Sequence, residues 1–163
     1  MKNFKYKTLI ATTAVLASAF TMPSFAADKV YKLKLAETWS ANFPIFGDAP
    51  RNMARIAEEM SGGRLKITID SSNKHKAAFG IFDMVRSGQY DMGHSASYYW
   101  KGKSRAAQFF AAVPFGLTAQ EMNSWLYHGG GMELWEEAYA PFGLVPGAAG
   151  NTGVQMGGWF NKE

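Results

Sequence analysis

The 163-residue sequence contains no cysteine. A disulfide framework is therefore excluded, and stability has to come from burying apolar surface. Histidine is scarce as well. His75, His94 and His128 are scattered, without an H-E-x-x-H pattern or cysteine pair beside them, so no zinc site is expected. No basic stripe interleaved with aromatics appears, which removes the usual footprint of a nucleic-acid partner. Internal repeats and low-complexity linkers are also absent, and no run of about 20 apolar residues exists to span a bilayer.

What the sequence does have begins at its first residues. Lys2, Lys5 and Lys7 form a basic head without acids, residues 8–20 carry no charge, and Thr21-Met22-Pro23 breaks the run before Ser24-Phe25-Ala26. This is the pattern of a cleaved secretory leader over residues 1–26, with cleavage after Ala26 preferred to Ala27. Removing it lowers Lys plus Arg from 17 to 14 against 13 acids, so the net charge falls from +4 to +1. The basic pI then owes much to the leader, and a periplasmic location is expected.

Tyr31, Leu33 and Leu35 alternate with Lys32 and Lys34, predicting a strand over residues 30–37. Ala49, Met53, Ile56, Ala57 and Met60 recur at helical spacing, and Ser61-Gly62-Gly63 stops that helix. Leu65, Ile67 and Ile69 predict a second strand. Residues 71–77 read as a polar loop, 78–87 as a helix bearing Phe79, Phe82 and Val85, and 90–93 as a short strand. Thr118-Ala-Gln-Glu121 is a capping box opening a helix that runs to about His128. A further helix is expected over 133–140, stopped by Pro141, and a returning strand over 144–149. Alternating strands and helices imply an α/β domain with a largely parallel sheet flanked by helices.

Three adjacent rings, Tyr98-Tyr99-Trp100, cannot all point inward from one short segment. At least one should face a cleft or another domain. Gly93-His94-Ser95-Ala96-Ser97 approaches the nucleophile elbow G-x-S-x-G but ends in Ser97 instead of glycine. His128 with Glu133, Glu136 or Glu137 would have to complete a triad around Ser95. A polar loop at the carboxyl end of a strand is the preferred reading, and such loops are where open α/β sheets bind ligands. Gly147 to Gly153 matches neither a dinucleotide fingerprint nor a phosphate loop. In residues 150–159 the amides Asn151 and Gln155 sit among glycines without charges, a setting in which an amide oxygen can hold a cation.

The leader, Ala36-Glu37-Thr38-Trp39, Gly88-Gln-Tyr-Asp-Met-Gly93, Ser97-Tyr98-Tyr99-Trp100 and residues 151–159 together resemble the solute receptors of tripartite ATP-independent periplasmic (TRAP) transporters, in particular the branch that binds 2-oxo acids. The resemblance implies a type II periplasmic-binding-protein-like clamshell and no enzymatic activity. It also implies a small organic carboxylate such as pyruvate in the cleft, a sodium ion beside it, and delivery to a TRAP membrane permease. Carried over position by position, Tyr98 or Tyr99 and Asn151 are expected to hydrogen-bond the ligand, and Gln155 to offer sodium its amide oxygen. No organic cofactor is implied, and a homodimer is compatible with the reading. A receptor of another uptake or sensing system is the alternative, followed by a secreted serine hydrolase using Ser95.

The resemblance also implies a division of the chain. Residues 27–151 would form the first α/β domain, and 152–163 the start of a crossover into a second domain that is missing. In the family an arginine beyond this point clamps the carboxylate, whereas the last arginine here is Arg105. Charge-assisted hydrogen bonds contribute roughly 1.5 to 3 kcal/mol each, so the chain alone is expected to bind its ligand weakly.

Overall fold

A computed structural model describes residues 29–154 and Asn161. The expected leader, Gln155 and most of the segment 152–163 lie outside the described residues. Among the described residues three parallel strands form a sheet, in the order β2-β1-β3, with β1 Tyr31–Glu37 at the centre, β2 Leu65–Asp70 and β3 Met92–His94. Tyr31 pairs with Leu65 and the register holds to Ala36 opposite Asp70, while Glu37 sits opposite His94. Parallel strands need crossovers. Helix α1, Asp48–Met60, supplies the first between β1 and β2. The second carries α2, Ser72–His75, and α3, Ile81–Arg86.

After β3 the chain makes two 3-10 turns, Ser97–Trp100 and Ala107–Phe110, then α4, Ala119–His128, and α5, Gly131–Tyr139. The α/β expectation of a parallel sheet flanked by helices holds. So does the capping box: Thr118 Oγ1 accepts from the Glu121 amide, and the Glu121 carboxylate accepts from the Thr118 amide at 2.8 Å. Gly62 and Gly63, both at positive φ, end α1 with the left-handed backbone that glycine tolerates.

The core gathers Ala36 of β1, Ile81 and Phe82 of α3, and a set of aromatic rings from the later helices. Phe110 stacks on Trp135 at 5.3 Å and on Trp125 at 5.9 Å, and Trp100 donates its indole N–H to the Tyr139 hydroxyl at 2.8 Å. Gly93 lets β3 approach α3, since a Cβ there would stand 2.6 Å from Ile81 Cγ2.

Several expectations need correction. Residues 71–77 are not simply a loop: α2 forms because Lys74 reaches back to Asp70 at 2.6 Å, and Lys76 ends it at φ 58°. Phe79 lies before α3 and is 65% exposed, instead of joining its apolar face. The third strand starts two residues later than expected, at Met92. Residues 144–149 form no strand, because among the described residues no neighbouring strand offers them a ladder. The apolar stripe of α1 is only partly covered, with Ile56 45% and Met60 84% exposed.

Candidate functional site

The carboxyl ends of β1 and β3 meet in a compact polar floor. Thr38 extends the pairing by donating its amide to the His94 carbonyl at 3.0 Å. Its hydroxyl lies 2.9 Å from the Ala78 carbonyl and 2.6 Å from Ser95 Oγ. Since an oxygen at that carbonyl can only accept, Thr38 donates to Ala78 and takes its second bond from Ser95. Next to this pair, the imidazole of His94 lies under Trp39 at 5.0 Å, and Trp39 stacks on Phe46 at 4.1 Å with the rings 7° from parallel.

The Ser97–Trp100 turn resolves the three-ring conflict as expected. Trp100 is buried at 6% exposure, whereas Tyr98 and Tyr99 are each 37% exposed. The two tyrosine rings meet edge to face at 4.7 Å, and Phe79 supports Tyr99 at 4.8 Å. Burial, reinforced by the Tyr99 hydroxyl, pushes the Tyr98 phenol up to about 12. Tyr98 is thus a neutral phenol over the whole physiological range, able to donate to a carboxylate.

Asn151 is exposed, and its Oδ1 accepts from the Gly153 amide at 2.6 Å. Its carbonyl is therefore occupied by a local turn, and the structure does not bring it into a hydrogen bond with Tyr98 or Tyr99. Gln155 lies outside the described residues. Among those described, no group of three or more His, Asp or Glu side chains is placed to hold a metal.

A cleft of about 140 Å³ opens between β3, the Ser97–Trp100 turn and residues 144–147, with Ser95, Ser97 and Trp135 in its wall. Tyr139 lines it, but Tyr98, Tyr99 and Asn151 do not. Ser95 itself is held by Thr38, not by a histidine, and it is not among the non-glycine residues at positive φ, which are Ile45, Lys76 and Phe115. The strained, exposed serine of a nucleophile elbow is not what this loop builds.

The residues missed by the sequence reading are Glu37 and His94. Glu37 was read only as the last position of a strand and as part of the Ala36–Trp39 stretch of the resemblance, yet its side chain is 0% exposed and stands 3.5 Å from His94 Nδ1. Burial raises the Glu37 carboxyl above its ordinary range, against the opposing charge of Arg51, and burial lowers His94. The one available signal was a charged residue directly following an apolar strand and facing the Gly93-His94 step.

The sequence pattern of bacterial extracellular solute-binding proteins, family 7, matches residues 35–163. The chain belongs to that family. Its members are solute-binding receptors, not enzymes. A monocarboxylate 2-oxoacid-binding periplasmic protein of Nostoc is 38% identical over 155 residues, covering 94% of this chain and 42% of its own length. A TRAP periplasmic solute-binding protein from Pseudoalteromonas atlantica, crystallised with bound sodium and pyruvate, is 64% identical with a TM-score of 0.80, covering 83% of this chain and 41% of that one. One from Colwellia psychrerythraea, with bound calcium and pyruvate, gives the same identity, score and coverage. The chain thus spans about two fifths of the length of these relatives.

Proposed function

We propose that this chain supplies one wall of a periplasmic receptor for a small 2-oxo acid, pyruvate or a close analogue, taken up with a cation and handed to a TRAP-type permease. The observation that carries the reading is the 64% identity to two proteins crystallised with pyruvate and a metal ion. The local chemistry agrees with an organic anion as ligand. Tyr98 is a neutral donor, and both it and Tyr99 are partly exposed at the carboxyl end of the sheet, which is where open α/β sheets take ligands. Asn151 would join them if its turn with Gly153 opens, and Gln155 would give its amide oxygen to sodium. In the same reading residues 1–26 are the leader that exports the chain, 27–151 form the first domain and 152–163 begin the crossover.

The test is a chimera in which residues 29–163 replace the matching part of the Pseudoalteromonas protein. Calorimetric titration with pyruvate should give saturable binding in sodium buffer and weaker binding in choline buffer. A folded chimera that takes up no pyruvate in either buffer would remove the reading.

A further inference from the structure

Glu37 and His94 face each other as register partners on adjacent strands, at the point where both strands leave the sheet. The Glu37 side chain is fully buried and that of His94 is 10% exposed. His94 Nδ1 stands 3.5 Å from a Glu37 carboxylate oxygen, and neither carboxylate oxygen nor Nδ1 has a hydrogen-bond partner among the described residues. Trp39 and Phe46 lie against the imidazole at 5.0 and 6.3 Å. An ionised carboxylate without donors is costly in such a place, and so is an imidazolium.

The surrounding charges do not relieve it. Arg51 of α1 acts on Glu37 through its field alone, and His75 of α2 uses its Nε2 on the Glu37 backbone carbonyl at 2.9 Å. One strand away, Asp70 is occupied by Lys74 and Tyr90.

We propose that Glu37 and His94 form a buried acid–imidazole pair holding one proton on the carboxyl group, which ties the ends of β1 and β3 together and cancels the opposite proton demands of its two members. The proton donor is the Glu37 carboxylic acid and the acceptor is Nδ1, so the imidazole carries its own hydrogen on Nε2. On this proposal, between the ordinary values of the two groups, about pH 4.5 and 6.5, the proton that the unfolded chain holds on histidine sits on glutamate in the folded chain. The counts match, so this pair contributes no pH slope to stability.

Breaking the pair exposes two slopes of opposite sign. In Glu37→Gln only His94 remains, with its folded value lowered. Its contribution is present above 6.5 and lost as pH falls, so stability relative to the unsubstituted chain should drop on acidification. In His94→Gln only Glu37 remains, with its folded value raised. Its contribution is present below 4.5 and lost as pH rises, so stability should drop in the other direction. Each slope approaches a tenfold change in the folding constant per pH unit.

The experiment is thermal and urea unfolding of the full chain and both variants from pH 4.5 to 7, each profile compared with the unsubstituted one. Opposite slopes support the pair, whereas parallel profiles or slopes of one sign overturn it. Nitrogen NMR of the His94 ring in the unsubstituted chain gives a second reading that needs no variant. A neutral ring protonated on Nε2 down to pH 5.5 is expected, and an imidazolium at pH 6 would overturn the proposal.

Discussion

The aromatic side of this domain and its α1 side carry the same kind of sequence signal and end in different states. In α5, the apolar positions Trp135 and Tyr139 are buried, and Trp135 lies in a stack with Phe110. In α1, Met53, Ile56 and Met60 recur with equal regularity, yet all three stay exposed and Pro50 is the one buried residue of the helix. Periodicity identifies which face of a helix is apolar. It does not say what covers that face, because coverage depends on elements distant in sequence.

The sharpest way to break the contrast is Trp135→Ala. Removing a buried indole from the stack should destabilise by roughly 3–5 kcal/mol, read as the urea midpoint at unchanged slope. A loss below about 1 kcal/mol would mean the aromatic side is no better packed than α1.

Asp70→Asn should come next, because the residue is buried at 7% exposure and holds both Lys74 and the Tyr90 hydroxyl, at 2.6 and 3.0 Å. About 1–2 kcal/mol is expected, a hydrogen-bond value kept modest because the Lys74 side chain is 66% exposed. The bond from Lys74, followed by that from Tyr90, holds the Asp70 carboxyl below 3.8. A lowered acid lends stability above its ordinary value and loses it as pH falls through the folded one. The unsubstituted chain should therefore lose stability as pH falls below about 4, and the variant should show a flatter acid limb in thermal melts.

Thr118→Ala removes the capping box of α4 and should lower stability by about 1 kcal/mol, with less helical circular dichroism near the transition. At the small end stands Ile56→Gln on the open face of α1, expected to change stability by no more than about 0.5 kcal/mol. A loss above 2 kcal/mol in the same urea series would show that α1 is covered after all.

These expectations also mark how far the sequence could be read. The α/β order, the first two strands, α1 and the capping box of α4 are local facts, written in period and in turn chemistry, and they were legible. That the rings of Tyr98, Tyr99 and Trp100 could not all be buried followed from simple crowding, but which of them is buried did not. Residues 144–149 were misread because the order of elements suggests a returning strand without naming its neighbour: Val145 is 88% exposed, and among the described residues no ladder forms there. The helix at Ser72–His75 was missed because its stabilising contacts, from Lys74 to Asp70 and from His75 to the Glu37 carbonyl, include a partner 38 residues away. Glu37 and His94 are 57 positions apart and meet only through the register of β1 on β3, which no local pattern encodes.

Tyr98 is the residue on which the account of the binding wall depends most. Its affinity for pyruvate, measured by calorimetry in the sodium-loaded chimera before and after Tyr98→Phe, tests that account directly. The neutral phenol is expected to donate to the ligand, so the variant should bind about tenfold more weakly with its stability preserved, one hydrogen bond being worth about 1–1.5 kcal/mol. An unchanged dissociation constant would contradict it.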